Sequence, residues 1–369
     1  MKKLSSLVAL SVLTLGLISP SARAALTDGM KEGKPEFKSM SQLAFGPEGI
    51  LFIADAKAAA IIAIATGDAS PSKSTAPIKA LAINETIAAL AGTKADQIVI
   101  EDLAVNPVSR HAYLAVTRGR GPDAVPLLVR VKADGQPELV SLNRVKFSRA
   151  ELADAPADAS VGDGKRARNP RNESITDIAY VEGRVIVAGI SSEEFSSALR
   201  AIPFPFSAVD RGVRVENYHG AHGRFETNAP VRTFAAYKVG GVTQILAAYT
   251  CTPLVQFALS DLKPGAKIMG KTIAEFGAGN RPLDIIVYQK DGKDFLLMAN
   301  SARGVIKVAA DQITGAESIT AKVNGTQGLK FEKLDWAGIT QLDRLDGKFA
   351  LVVRAGANNA LDLETLALP

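Results

Sequence analysis

Residues Glu216–Pro230, ENYHGAHGRFETNAP, contain two of the chain's three histidines, His219 and His222. Cys251 is the only cysteine. Two imidazoles and one thiolate are donors for copper or zinc. The spacing of the two histidines in a Gly-rich stretch matches no standard zinc signature, and a loop whose histidines hydrogen-bond to backbone is the competing reading. A third possibility makes His219 or His222 a general base beside carboxylates. The lone thiol cannot form an intrachain disulfide, so it is buried, metal-bound or paired with another chain. His111 lies on a separate hairpin and reads as structural.

A second set of candidates emerges from a repeat. A polar residue, a short apolar strand, a turn and a second apolar strand recur. The pattern appears as SQLAFGPEGILFIAD (41–55), EDLAVNPVSRHAYLAVT (101–117), TDIAYVEGRVIVAG (176–189), RTFAAYKVGGVTQILAAYT (232–250), LDIIVYQKDGKDFLLMAN (283–300) and TQLDRLDGKFALVVR (340–354). Gly-Pro-Glu-Gly, Asn-Pro-Val-Ser and Asp-Gly-Lys supply turns between the β-rich runs, so each copy is a hairpin. Third strands follow at 60–64, 127–131, 305–308 and 360–366. Six such units without a long helical pattern predict an all-β, six-bladed β-propeller with long loops on one face. Its blades start near 41, 101, 176, 232, 283 and 340, in one domain spanning 25–369. A pair of β-sandwiches is the rival, but it would not give six copies of one hairpin.

LAFGPEGILFIADA resembles a blade of the NHL and streptogramin-lyase propellers, and the six-unit count is similar to the regucalcin–gluconolactonase and arylesterase groups. The resemblance implies an architecture. It also implies a calcium-type ion at a ring of inner-strand residues around the channel mouth. The aligned ring positions here are Gln42, Asp102, Asp177, Thr233, Asp284 and Gln341. The related motifs place Asn and Asp-Gly at such positions, whereas Leu103, Ile178 and Ile285 follow the three aspartates. Three like charges in a narrow channel raise one another's pKa unless a cation or arginines offset them. Arg118, Arg120, Arg303 and Arg354 are expected on the same face, where with Gln42 and Gln341 they are candidate ligand contacts.

Strand alternation places His219, His222 and Cys251 on this face as well. A histidine next to the aspartates would have its pKa raised. Insertions at 141–175 and 191–229 are expected to cover the face. The first contains the basic run Lys165, Arg166, Arg168 and Arg171, and the second contains Phe204 and Phe206. Trp336 is a further candidate there. Closure of the ring is expected from pairing of residues 25–40 with the last blade.

Composition bounds the role. Residues 1–24 carry Lys2 and Lys3, an apolar run from Leu7 to Ile18 and Ala22-Arg23-Ala24, which together read as a cleaved secretory leader. A periplasmic or secreted protein is therefore expected. The net charge of +5 includes Lys2, Lys3 and Arg23; without them, 40 Lys+Arg face 38 acids and the charge is +2. That is not the charge of a nucleic-acid binder, and no later run is apolar enough to span a membrane. No G-x-S-x-G elbow, P-loop, dinucleotide fingerprint or C-x-x-C-H is present. Two readings remain. One is a binding propeller holding a metal, a small ligand or a protein partner on its looped face. The other is a lactonase- or esterase-like hydrolase or lyase, metal-dependent, using Asp102, Asp177 and Asp284.

Overall fold

The structure is a computed structural model that describes residues 26–72, 74–164, 167–207 and 209–369. The leader expected at 1–24, with Lys165 and Arg166 of the basic run, lies outside the described residues. The chain is a six-bladed, all-β propeller. The inner hairpins are Leu43–Phe45 with Ile50–Asp55, Ile98–Val105 with Ala112–Arg118, and Asp177–Val181 with Arg184–Ile190. The other three are Thr233–Val239 with Val242–Ala248, Pro282–Lys290 with Lys293–Asn300, and Ile339–Arg344 with Phe349–Ala355. All are antiparallel, as two-strand repeats joined by tight turns require.

Each sheet is covered on both sides, and the middle strands show it. Ile50–Asp55 is buried at every residue. Six separate apolar clusters form, each between two adjacent blades. Phe52, fully buried, packs edge-on against Phe204 at 4.8 Å and close to Phe206. These two phenylalanines from the 191–229 insertion therefore fill the core between blades 1 and 3. Truncating Phe52 to alanine would cost about 3–5 kcal/mol through lost transfer energy and the cavity left behind.

The order of blades around the axis departs from chain order. Blade 2 packs against blades 1 and 6, and blade 1 packs against blades 2 and 3. Around the axis the sequence of blades is 2, 1, 3, 4, 5, 6. The expected closure is corrected by the same feature. Lys31–Gly33 pairs with Val145–Glu151, which in turn pairs with the third strand of blade 1, Ala60–Ala65. The last blade, ending in Leu361–Ala367, is instead completed by Lys79–Ala80. After Ala65 the chain leaves blade 1 unfinished and runs to the edge of blade 6. There Ile78 N–H donates to Thr365 Oγ1 (2.8 Å) and Ala82 N–H donates to Asp362 Oδ1 (2.8 Å).

A helix the strand pattern did not suggest, Ile83–Ala91, then covers the seam of blades 2 and 6 with Ile83, Ile87, Ala88 and Ala91. Those spacings of 3 and 4 put the four residues on one face. Only after blade 2 does the chain return, at 145–151, to finish blade 1. The front of the 141–175 insertion is thus a sheet strand and not a loop over the face. Among the described residues no helix is long and apolar enough to cross a membrane.

Candidate functional site

Two polar groups lie at different distances from the propeller axis. The inner group lines a channel cavity of about 300 Å³ and contains Asp102, Asp177 and Asp284 together with Asp343. The alignment had placed Gln341 in this role for blade 6. A β-bulge lies between Ile339 and Gln341, and Asp343, two residues beyond Gln341 on the same side of the strand, supplies the carboxylate. Asp102 and Asp284 also follow bulges in their strands. Bulges re-aim side chains locally and leave no mark in an alternation pattern.

Each aspartate joins two blades. Asp102 Oδ2 accepts from Leu43 N–H at 2.7 Å, and Asp343 Oδ2 accepts from Val105 N–H at 2.7 Å. Asp284 Oδ2 accepts from Leu342 N–H at 2.9 Å, and Asp177 Oδ2 accepts from Phe234 N–H at 2.8 Å. The other oxygens of Asp177, Asp284 and Asp343 accept the N–H of the next residue in their own strand.

Backbone N–H groups therefore do the compensating that arginines or a cation were expected to do. The arginines go elsewhere. Arg118 donates to Ala91 O, Arg120 to Asp96 O, Arg303 to Ala278 O, and Arg354 pairs with Glu364. Gln341 donates to Glu101 O, while Gln42 Oε1 is buried without a partner. Trp336 packs into the core between blades 5 and 6.

Burial still dominates the channel electrostatics. It pushes Asp177 up to about 7 against the N–H groups of Phe234 and Ile178, and Asp343 up to about 6. Asp102 and Asp284 stand well above the usual carboxylate range, first through burial and then through the like charges of Asp284 and Asp177 respectively.

The outer group sits at the seam of blades 3 and 4. His219 ends the fourth strand of blade 3, Val213–His219, and a hairpin returns through Arg224–Glu226. The turn closes with Gly223 N–H on His219 O at 2.8 Å, and Gly223 takes φ +67°, a conformation glycine adopts without strain. Gly220 allows a close approach. A Cβ there would lie 3.0 Å from Glu275 Oε1, which accepts the Gly220 N–H at 2.6 Å. The hairpin brings the two imidazoles together, their centroids 3.8 Å apart and their planes tilted by 35°. It also brings Glu226 between them. Glu226 Oε2 lies 2.8 Å from His219 Nδ1, and Oε1 lies 2.7 Å from His222 Nδ1.

Cys251 arrives from blade 4, in the turn between its second and third strands. Cys251 and Thr252 adopt φ +63° and φ +60° in succession, unfavourable for side-chain-bearing residues and most of all for β-branched Thr. The turn is held by Cys251 N–H on Asn280 O (2.7 Å), Thr252 Oγ1 on Gly277 O (2.9 Å) and Phe276 N–H on Thr252 O (3.1 Å). Donor atoms of His219, His222 and Cys251 all lie within 4.8 Å of one another, a cluster that could hold a metal ion.

His219 is 2% exposed, and its Nε2 has no hydrogen-bond partner. Burial moves its pKa down, outweighing the upward pull of Glu226, opposite to the rise expected for a histidine beside the channel aspartates. Glu226 is itself lowered. Burial raises it, but the bonds from both histidines pull it below the ordinary glutamate value. An ionised Glu226 accepting from both Nδ1–H groups leaves each Nε2 with a free lone pair. Burial pushes Glu275, next to the turn, up to about 7.

The structure therefore gathers His219, His222 and Cys251. It gathers the aspartates separately, and neither histidine is among the residues lining the channel. Glu226, Glu275 and Asp343 were missed. Glu226 stood four residues after His222 in the same Gly-rich stretch, so a hairpin reading of that stretch would have found it. His111 Nδ1 lies 2.9 Å from Asp68 Oδ2, in a buried network with Ser109 and Tyr113, a structural role. Of the described basic-run residues, Arg171 donates to Pro156 O and Arg168 pairs with Glu173.

No family model matches the chain, and no curated protein does. Among solved structures it is similar to an oxidoreductase described as a glucose dehydrogenase from Thermus thermophilus, at 13% identity over 92% of this chain and 100% of the other, TM-score 0.33. It is similar to a luciferin-regenerating enzyme, at 9% identity over 90% and 91%, TM-score 0.33. It is also similar to the PQQ-bound aldose sugar dehydrogenase of Streptomyces coelicolor, at 13% identity over 92% and 97%, TM-score 0.29. Identities this low transfer no residue role and no substrate to this chain.

Proposed function

We propose that this protein is an extracytoplasmic binding propeller whose functional centre is a transition-metal site formed by His219, His222 and Cys251 at the seam of blades 3 and 4. One observation carries the reading. The Nε2 of His219 is buried and unpartnered while its Nδ1 is fixed by Glu226, and it shares its surroundings with two other donors. A buried polar atom without a partner costs about 1–3 kcal/mol, and a bound cation would remove that cost. A carboxylate on the far nitrogen of a ligating histidine sets its tautomer and orientation and raises its basicity. Glu226 is placed to do so for both rings at once. The half-exposed His222 leaves the centre open on one side, so a metal there would keep a position for solvent or a small ligand. Location outside the cytoplasm rests on the leader-like residues 1–24.

The channel aspartates support a different role, as carriers of blade-to-blade hydrogen bonds, and no catalytic step is assigned to them. The test is reconstitution of the mature protein with Zn²⁺ or Co²⁺, removal of excess by gel filtration, and elemental analysis. One equivalent per chain is expected in the parent and in Asp284→Asn, with loss in Cys251→Ser and His222→Ala. Substoichiometric metal in the parent, or equal metal in all four proteins, overturns the reading.

A further inference from the structure

Granting that a metal sits at the blade 3–4 seam, we propose that it is copper, taken in its cuprous form by a three-coordinate site of two imidazole nitrogens and one thiolate. The inference deepens the functional reading and rests on it. It follows from how many donors converge and which kinds they are. Thiolate selects for Cu(I) and zinc among biological metals, and two imidazoles with one cysteine in trigonal array is a copper donor set. Zinc in structural sites closes its tetrahedron with four protein ligands. Among the described residues the cluster holds three His, Cys, Asp or Glu donors.

The nearby carboxylates are not part of it. Both oxygens of Glu226 are engaged by the Nδ1 atoms of His219 and His222. Glu275 is tied through Oε1 to Gly220 N–H, its Oε2 is buried without a partner, and it lies outside the mutually close group of His219, His222 and Cys251. Zinc would therefore have to recruit water, whereas Cu(I) is satisfied by three soft or borderline donors.

The scaffold holds the three donors on independent supports. His219 is clamped in a strand end by the returning hairpin, with its Nδ1 fixed. Cys251 is held by two consecutive left-handed residues whose strain is carried by hydrogen bonds to Asn280, Gly277 and Phe276. His222 lies on the turn, its side chain 41% exposed, and is the ligand that can swing to admit the ion. Copper would thus enter and leave from the solvent side, and no electron-transfer step is required of the site.

The experiment is an anaerobic titration of the mature, reduced protein with Cu(I) against a chromogenic cuprous chelator, with Zn²⁺ in a parallel series. X-ray absorption at the copper edge follows. Expected is one equivalent of Cu(I), displacement of bound Zn²⁺ by an equal amount of Cu(I), and an absorption signature of two nitrogens and one sulfur. Cys251→Ser and His222→Gln should each lower Cu(I) affinity at least about tenfold, or about 1.4 kcal/mol. His222 is exposed enough that its substitution leaves folding intact, which far-UV circular dichroism checks. Stoichiometric Zn²⁺ without Cu(I), a coordination shell lacking sulfur, or unchanged Cu(I) affinity in Cys251→Ser overturns the copper inference but leaves a metal centre standing. If neither metal binds the parent, both readings fail.

Discussion

The channel and the blade 3–4 seam both collect polar side chains, and they differ in how those side chains are satisfied. In the channel, four carboxylates crowd together, yet each spans to the neighbouring blade through a backbone N–H at 2.7–2.9 Å. Their lone pairs are committed to joining blades 1 to 2, 2 to 6, 5 to 6 and 3 to 4. At the seam a buried imidazole nitrogen has no partner and a thiol is held in a strained turn. Concentration of charge therefore marks architecture here, and an unmet imidazole nitrogen beside two further metal-binding donors marks the candidate site.

The comparison breaks first in the channel. Asp284→Ala removes the acceptor of both Leu342 and Ile285 N–H. Each orphaned buried N–H costs about 1–3 kcal/mol, so a loss of roughly 2–6 kcal/mol is expected in denaturant unfolding, with metal loading unchanged. If Asp284→Ala unfolds like the parent, the carboxylates are not latches.

At the seam the order of effects reverses. Glu226→Gln keeps the shape but forces an amide N–H against one imidazole Nδ1–H. Metal affinity should fall by about 10–100-fold, as for other partners of metal-bound histidines. Metal-free stability should move by no more than about 1 kcal/mol, since hydrogen bonds are exchanged and not simply lost. A competition titration reads the first and chemical denaturation the second. Unchanged affinity would remove Glu226 from the site.

The two regions should also answer pH with opposite sign. Asp177 and Asp343 have folded pKa values raised to about 7 and about 6, so the folded state binds protons that the unfolded state has lost. Their contribution is fully present below the unfolded value near 4 and fades as pH rises through about 7. His219 is lowered by burial, so below its unfolded value near 6.5 the unfolded state gains the proton first, and stability falls on acidification. Glu226, also lowered, acts in the same direction at lower pH. Asp177→Asn should flatten the loss between about pH 4 and 7, and His219→Gln should flatten the loss below about pH 6.5, in metal-free protein followed by urea midpoint. Parallel curves for parent and Asp177→Asn would show that the channel aspartates ionise normally.

The smallest effect sharpens the contrast from outside both regions. Arg120→Ala, which loses one exposed bond to Asp96 O, should change stability by less than about 0.5 kcal/mol and leave metal loading intact. A larger change in metal loading would mean that the arginines of this face reach the centre after all.

How much of this was legible follows from range along the chain. Hairpins such as LAFGPEGILFIAD are local. Alternation, β-branched residues and turn chemistry within about fifteen residues specify them, and six copies require a closed ring so that every sheet can bury both faces. The same alignment put Asp102, Asp177 and Asp284 at one channel. It missed Asp343 because Gln341 and Asp343 share one side of the same strand and the alignment stopped at the first, and it expected the arginines to offset the aspartates, whereas Arg118, for example, donates to Ala91 O on a helix the strand pattern did not suggest.

Residue order was therefore enough for the blade count, three of the four channel aspartates and the candidate donors His219, His222 and Cys251. Which of those residues meet was settled only by the packed fold. The chain departs blade 1 after three strands, completes blade 6 with Lys79–Ala80, and returns at Val145–Glu151, so blade 2 closes the ring between blades 1 and 6. His219 and Cys251 come together from different blades, with Glu226 folded back by a hairpin to orient the imidazoles. Such contacts depend on burial shared between blades, a property of packed surfaces that no local pattern of residues encodes.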